Sequence, residues 1–333
     1  MSIRTIDQLL GVDYPIIVAP MFLISNVKMI QEALKNGVSA AFPALNYRTD
    51  KELRAAIQEI KASSGKPFGV NLIVNKSNPT YQSQLKTLLE TRVDYIITSL
   101  GNPREVIEKC RPLGIKVFCD VVDLSYAKKV ESLGADAVIA VNNKAGGHAG
   151  NLSPQALISQ LKESCSIPII SAGGVAHGKD LAMALAWGAA GVSVGTVFIA
   201  CQESDVSAEY KQAMIDYGEE DIVRTTKLSG SALTVINTPY VQKLGTKANL
   251  LERILHSNKT LKKYVKMIIA LRGMKAIEKA AFGATYKTVW CAGPAIESVT
   301  SIQPMKEIIQ TLVLEYNQIR NDPGENPVLA ESG

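Results

Sequence analysis

The chain has 333 residues, of which 47% are hydrophobic and 20% charged, with a formal net charge of +5 at pH 7. This balance allows a large buried core in a water-soluble protein. No segment reaches the roughly 18 uncharged apolar residues of a membrane span, and the start lacks a signal-peptide pattern, so we expect a cytoplasmic protein with no membrane partner. The five cysteines lack Cys-x-x-Cys spacing, which argues against a disulfide framework and against a metal site.

Eight short apolar runs recur along the first two hundred residues, at intervals of about 20 to 30 residues. Runs without polar alternation are typical of parallel strands that are buried on both faces. They begin near Pro15, Ser39, Phe68, Tyr95, Lys116, Ala137, Ile169 and Gly191.

Amphipathic stretches between these runs predict helices. The clearest span Asp50 to Lys61, Tyr81 to Thr91, Pro103 to Arg111 and Leu124 to Leu133. A helix-stopping glycine precedes three of the runs, at Gly37, Gly114 and Gly134. Eight strand-helix units favour an α/β fold of the (β/α)8 TIM-barrel type over an open doubly wound sheet, whose dinucleotide glycine fingerprint is missing here.

Barrel enzymes gather their chemistry at the C-terminal ends of the strands. The polar and glycine residues just beyond the eight runs are therefore the candidate site. They are Pro20, Met21, Pro43, Asn71, Ser99, Asp120, His148, Gly173, Gly174, Gly195 and Thr196.

His148 follows the sixth run within Ala145-Gly146-Gly147-His148-Ala149-Gly150. Flanking glycines let the backbone take a positive φ and let a flat ligand approach closely, and imidazole transfers protons near neutral pH. We predict that His148 transfers a proton or hydrogen-bonds a substrate. A packed structural histidine is the alternative.

Two glycine loops follow the seventh and eighth runs, at Gly173-Gly174 and at Gly195-Thr196. In many barrels these loops bind phosphate through backbone N–H groups and a helix N-terminus, here that of a helix from about Lys179. Tight turns that need glycine for positive φ are the alternative. Residues Gly173 to Lys179 also match the start of a nucleotide-binding P-loop, but Asp180 stands where Ser or Thr would bind magnesium.

Asn71 and Asp120 end the third and fifth runs. Their amide and carboxylate are candidates to hydrogen-bond a heteroaromatic ring. Each of them could instead cap the following turn.

The strand-helix rhythm stops beyond Ser204, and residues 243–287 hold eleven Lys or Arg and two Glu, a local charge of +9. We predict a helical lid or substrate domain over residues 206–287, inserted into a barrel formed by residues 1–205 and 288–333. The simpler interpretation of the basic residues is a solvent-exposed, lysine-rich helix face that binds no partner. Nucleic acid is not expected as a partner, since no base-reading module or interleaved aromatic residues occur.

With these motifs the chain resembles the nitronate monooxygenase family, formerly called 2-nitropropane dioxygenases, and the related FMN-dependent enoyl-acyl-carrier-protein reductases. The resemblance covers most of the chain. It depends on Ala19-Pro20-Met21, Phe68-Gly69-Val70-Asn71-Leu72, Ala145-Gly146-Gly147-His148, Ala172-Gly173-Gly174-Val175, Gly195-Thr196, Glu203-Ser204, Ser229-Gly230 and Trp290-Cys291-Ala292-Gly293.

The resemblance implies an FMN-binding barrel with a late helical substrate domain. It implies that Ala19, Pro20, Met21 and Asn71 contact the flavin ring, and that His148 faces the substrate beside it. The phosphate would lie on Gly173, Gly174, Gly195 and Thr196. With Asp120, the flanking residues Ala145, Gly146, Gly147 and Ala172 complete the predicted cofactor site.

Three departures from the family pattern bear on the substrate. A Gln-Gly-x-Glu stretch usually precedes Ala-Gly-Gly-His, where this chain has Val141-Asn142-Asn143-Lys144. Val197 stands where the family usually has Arg, and Leu233 and Thr234 stand where an Arg is usual after Ser-Gly. These exchanges alter the ring's neighbours and the charge presented to a substrate.

The leading hypothesis is an FMN-dependent oxidoreductase that converts alkyl nitronates with oxygen to a carbonyl compound and nitrite. The runner-up is an FMN-dependent enoyl-acyl-carrier-protein reductase that uses NAD(P)H, for which the +9 segment would steer an acidic acyl-carrier protein. A flavin-binding or acyl-binding protein without turnover is the third. The sequence allows a homo-oligomer without deciding for one.

Overall fold

The computed structural model describes residues 4–75, 78–226, 232–246 and 289–321. Eight of its strands run parallel and close into a barrel. They are β1 (Ile16–Val18), β2 (Ser39–Pro43), β3 (Gly69–Ile73), β4 (Tyr95–Ser99), β5 (Lys116–Val121), β6 (Ala137–Val141), β8 (Ile169–Ala172) and β9 (Gly191–Val194). The predicted TIM barrel is confirmed.

The helices that connect the barrel strands are α2 (Val27–Lys35), α3 (Asp50–Ser63), α4 (Tyr81–Thr91), α5 (Arg104–Cys110), α6 (Leu124–Leu133), α7 (Pro154–Lys162) and α8 (Gly178–Trp187). Helix α1 (Ile6–Leu10) precedes β1, and α9 (Ala208–Asp216), α10 (Pro239–Leu244) and α11 (Met305–Asn321) follow β9. Short 3₁₀ turns span Ala44–Asn46, Arg111–Leu113, Thr196–Phe198, Glu219–Asp221 and Pro294–Ser298. None of the helices in the described ranges is long and apolar enough to cross a membrane.

Local sequence explains where several helices begin and end. Thr49 caps α3 by accepting a hydrogen bond from the Glu52 N–H, while the Glu52 carboxylate accepts one from the Thr49 N–H. The expected helix-stopping glycines take left-handed φ values of 79° at Gly37, 71° at Gly114 and 93° at Gly134.

The barrel interior is filled by alternate residues of the strands, since side chains along a strand point to opposite faces. In β4, Tyr95 and Ile97 belong to the inner cluster with Phe118, whereas Ile96 belongs to the outer cluster under the helices. The Tyr95 ring takes the space that a Cβ on Gly69 would need. In β3, β4 and β5, the residues two positions after Gly69, Ile97 and Phe118 also face inward. They lie at the C-terminal mouth of the barrel.

A second sheet lies beyond β6. It has three antiparallel strands in the order β10 (Ile222–Thr225), β11 (Leu233–Ile236) and β7 (Gly147–His148). The described part of residues 206–287 thus contains strands as well as helices, which the sequence analysis did not anticipate. The basic residues 247–287, with His256 and the Ser229-Gly230 motif, lie outside the described residues, so the helical lid stays a prediction.

Candidate active site at the barrel mouth

Three side chains form a hydrogen-bonded chain across the ends of β3, β4 and β5. The Asn71 amide Nδ2 donates to the Ser99 Oγ over 2.6 Å and to the Ile97 carbonyl over 3.2 Å. The Ser99 hydroxyl in turn donates to the Asp120 Oδ2. These residues occupy the inward positions of adjacent strands, so barrel register brings them together. We name them the polar chain.

Burial raises the pKa of Asp120 to about 6, although the hydrogen bond from Ser99 works in the opposite direction by favouring the carboxylate. The Asn71 side chain is only 8% exposed. Because its Nδ2 is engaged by Ser99 and Ile97, its amide oxygen is the atom left to accept a hydrogen bond from a ligand.

The loop after β1 is held from behind by Ser25. Its hydroxyl donates to the Ala19 carbonyl over 3.1 Å and accepts the Met21 N–H over 2.9 Å. A Cβ placed on Gly195 would stand 3.4 Å from the Met21 Sδ and 3.5 Å from the Ala19 Cβ. The predicted residues 19–21 and the loop after β9 therefore lie side by side, as the pairing of β1 with β9 requires.

His148 lies on β7, where it pairs with Leu233 of β11. The ring is open to solvent, yet the surrounding protein removes enough water to lower its pKa below the ordinary histidine value. Desolvation disfavours the imidazolium and so favours the neutral ring. A neutral imidazole has one nitrogen that accepts a proton and one N–H that donates a hydrogen bond.

Asn142 organises the loop between β6 and β7. It is fully buried, its Nδ2 donates to the Gly173 carbonyl over 3.0 Å, and its Oδ1 accepts the Lys144 N–H over 2.8 Å. Gly173 has a φ of 113°, and a Cβ there would stand 2.4 Å from the Ala145 N. Asn142 thus ties the loop that carries His148 to the loop after β8.

The segment around Gly293, which comes after the barrel strands in the chain, packs against this part of the mouth. A Cβ on Gly146 would stand 2.9 Å from the Gly293 N, and one on Gly293 would stand 2.4 Å from the Lys144 carbonyl oxygen. The Gly293 N–H also donates to the Thr196 Oγ over 3.0 Å. Neither glycine can carry a side chain, because two backbone segments cross at this point.

The N-terminus of α8 differs from expectation. Its Ala176 and His177 N–H groups donate to the Asp180 carboxylate, both over 2.9 Å, and the Gly178 N–H donates to the Glu315 Oε2 over 2.6 Å. Asp180 already argues against a nucleotide site, because it stands where a P-loop has Ser or Thr. These carboxylates now also take the helix N–H groups that were expected to hold a phosphate.

His177 is a structural partner in the same cluster. Its Nε2 lies 3.0 Å from the Ser298 Oγ, and its Nδ1 lies 3.5 Å from the Glu315 Oε1. The ring thus joins α8 to α11 and to the turn at Pro294–Ser298. No sequence signal linked residues so far apart in the chain.

The backbone of the two glycine loops remains available to a ligand. The N–H groups of Gly173, Gly174 and Thr196 donate to no other residue in the described ranges. The Thr196 hydroxyl oxygen accepts from Gly293, which leaves its O–H to donate. Strand pairing of β8 with β9 sets these donors next to each other.

The cysteines take no part in this site. Burial raises the pKa of the thiols of Cys110, Cys119 and Cys201 to about 12, so they stay protonated and unreactive near neutral pH. Across the described part of the chain, no group of three His, Cys, Asp or Glu residues is placed to hold a metal ion.

Comparisons with known proteins agree with this fold and with the sequence motifs. The family model described as nitronate monooxygenase matches residues 4–315. The chain belongs to the nitronate monooxygenase family. It is an oxidoreductase, and flavin chemistry is general in this group.

Proteins that are similar to this chain differ in their named activities. The chain is 32% identical over 250 residues to a (3aS,4S,5R,7aS)-5-hydroxy-7a-methyl-1-oxo-octahydro-1H-indene-4-carboxyl-CoA dehydrogenase of Rhodococcus jostii, covering 75% of this chain and 70% of that protein. It is 28% identical over 273 residues to a nitronate monooxygenase of Paraburkholderia phytofirmans, covering 68% and 74%. The structure of FabK from Thermotoga maritima matches with a TM-score of 0.82 at 28% identity, covering 97% of this chain and 99% of that chain.

Sequence reasoning missed residues that act through other residues. Ser99 was noted only as a strand-end residue, although it links Asn71 to Asp120. Asn142 was considered only as a departure from the family pattern. Strand alternation could have signalled Ser99, since it lies two positions beyond Ile97, but no local pattern signals the long-range contacts of Asn142.

Proposed function

We propose that the protein is an FMN-dependent oxidoreductase that oxidises alkyl nitronates with oxygen to a carbonyl compound and nitrite. The observation that carries this proposal is the barrel mouth itself. The buried polar chain of β3 to β5 shares it with the glycine loops that follow β8 and β9. One side offers hydrogen bonds to a polar ring, and the other offers backbone donors to an anion.

The residues present fit FMN. The Asn71 amide oxygen and the Asp120 carboxylate both accept hydrogen bonds, so they suit the N–H donor at the edge of an isoalloxazine ring. The N–H groups of Gly173, Gly174 and Thr196 suit a phosphate. A Cβ on Gly195 would make only ordinary contacts with the protein, so its absence favours close approach of a flat ligand rather than packing.

FMN, when bound, would accept electrons from the substrate and pass them to oxygen. The chain's own contribution is to orient the substrate and to move a proton. Desolvation lowers the pKa of His148 and so favours its neutral form. Its unprotonated nitrogen would take a proton from the α-carbon of a neutral nitroalkane, or its N–H would hydrogen-bond a nitronate oxygen.

A His148→Ala variant tests this assignment. We expect flavin content to stay unchanged, because His148 joins β11 through its backbone, and turnover of a neutral nitroalkane to fall by about 10² to 10⁴. Flavin absorbance of the purified protein and nitrite release would be measured together. His177→Gln is the matched control, since that imidazole contacts Ser298 and Glu315 away from the proposed chemistry.

Two results would contradict the proposal in different ways. Purified protein that releases no FMN and takes up none would refute the cofactor. Flavin-loaded His148→Ala that turns over nitroalkane at the wild-type rate would leave the cofactor in place and remove His148 from the mechanism.

Oxidation or reduction of an acyl thioester is the second candidate. The Rhodococcus jostii relative, named as a carboxyl-CoA dehydrogenase, is 32% identical, against 28% for the nitronate monooxygenase of Paraburkholderia phytofirmans. Mixing the anaerobic flavoprotein with NADPH and, separately, with an alkyl nitronate distinguishes the two. Bleaching by nitronate alone supports the first candidate, whereas bleaching by NADPH with reoxidation by an enoyl thioester supports the second. An acyl-carrier protein partner stays a prediction, because the basic segment lies outside the described residues.

A further inference from the structure

We infer that Lys144 supplies the positive charge that holds the phosphate of the bound flavin, in a site whose other donors are the backbone of the two glycine loops. This inference rests on the proposed FMN site. It assigns a role to a residue that departs from the family pattern, where an acidic residue is usual.

The first support is position. The Lys144 side chain lies across Gly174, with its Cδ, Cβ and Cγ at 2.8, 3.0 and 3.5 Å from the place where a Cβ on Gly174 would stand. The ammonium is two bonds beyond this Cδ. A φ of 81° at Gly174 turns the backbone of the loop beneath the lysine stem. Lysine stems commonly lie along a surface in this way while the charged end reaches a polar partner.

The second support is that the lysine backbone is fixed. Its N–H donates to the buried Asn142 Oδ1 over 2.8 Å, and its carbonyl lies under Gly293. The same Asn142 holds the Gly173 carbonyl. The Lys144 backbone and the glycine loop are therefore positioned by one side chain, so the fold sets the distance between the base of the lysine stem and the loop donors.

The third support is the local charge. Asp180 and Glu315 occupy the N–H groups at the start of α8 and place two carboxylates behind the same loop. A phosphate here would need a compensating cation. Lys144 makes no ion pair with any residue in the described ranges, so its charge is available.

The test compares FMN with riboflavin, which has the same ring but lacks the phosphate. The full chain, freed of bound flavin, is titrated with each compound while flavin fluorescence is followed. We expect Lys144→Met to weaken FMN about fivefold and to leave riboflavin within twofold, because an exposed charge pair contributes modestly. Lys144→Glu should weaken FMN further, and Lys144→Arg should restore it. Added salt should weaken FMN less in Lys144→Met than in wild type.

Lys162→Met is the matched control. Lys162 lies over Gly188, which also has a positive φ, with its Cδ 2.4 Å from the place of a Cβ. The side-chain stem of Lys162 thus covers a glycine as that of Lys144 does, but this glycine follows the end of α8, away from the barrel mouth. We expect no change in either flavin affinity.

The remaining outcomes separate this inference from the proposed function. Tight FMN binding by wild type that Lys144→Met and Lys144→Glu leave unchanged would overturn the inference alone. Equal losses of FMN and riboflavin would also overturn it, since a phosphate contact cannot weaken riboflavin. Failure of the wild-type chain to bind either flavin would overturn both the inference and the FMN proposal.

Discussion

The two sides of the barrel mouth are built from different chemistry. Along β3 to β5, buried side chains form the polar chain of Asn71, Ser99 and Asp120. The loops after β8 and β9 present glycine backbone, and at Gly173 a neighbouring backbone segment leaves no room for a side chain. A side-chain network can be altered one atom at a time, whereas a backbone site is disrupted where an added Cβ meets other backbone atoms. The two sides should therefore respond to different substitutions.

The largest expected effect is on the backbone side. Gly173→Ala should lower the free energy of unfolding by about 3 kcal/mol, because it combines an unfavourable φ of 113° with a Cβ 2.4 Å from the Ala145 N. Urea unfolding would measure the change.

Gly114→Ala serves as the control for Gly173→Ala. Its φ is 71°, but nothing lies within 4 Å of the added Cβ, so only backbone strain of about 1 kcal/mol should remain. Equal losses for the two variants would show that crowding at Gly173 is unimportant and would weaken the contrast between the two sides.

On the side-chain side, Ser99→Ala should cost about 2 kcal/mol, because the Asn71 amide loses an acceptor and the buried Asp120 carboxylate loses a donor. It should also move the pKa of Asp120 above about 6, since the Ser99 hydrogen bond lowers it. Carboxyl chemical shifts across a pH series would follow Asp120 directly. An unchanged titration would mean that the hydroxyl does not stabilise the carboxylate.

The smallest effect is expected for Asp120→Asn. Folding raises the pKa of Asp120 to about 6, so the folded chain binds this proton more tightly than the unfolded chain, and wild type loses stability as the pH rises from about 4 to 6. The asparagine variant should lack that loss and gain about 1 kcal/mol at pH 7, after allowance for solvent near the carboxylate. Thermal unfolding at pH 4 and pH 7 would test it, and identical pH dependence in both proteins would contradict it.

The sequence predicted the barrel well because its signals are local. Apolar runs near Ser39 and Tyr95 begin strands at those residues, and Gly114 and Gly134 end helical segments as expected. The spacing of these runs also placed Asn71 and Asp120 at strand ends. It did not predict the hydrogen bonds that join them through Ser99, because those depend on which strand residues face the barrel interior.

Contacts between distant segments account for what the sequence could not provide. The two-residue strand at His148 has no periodicity of its own and exists because Leu233 pairs with it. Glu315 reaches the Gly178 N–H from 137 positions away. Such contacts depend on how distant helices and strands pack together in the folded protein. The composition and spacing of the sequence do not encode that packing.

The crossing of Gly146 with Gly293 has a consequence for biosynthesis. All eight barrel strands have been synthesised by Val194, yet the mouth lacks its Gly293 neighbour and the partner of Thr196 until about a hundred more residues have followed. A nascent chain can thus close its scaffold well before its ligand loops are buttressed. Uptake of the proposed flavin is accordingly expected only after the segment around Gly293 has been made.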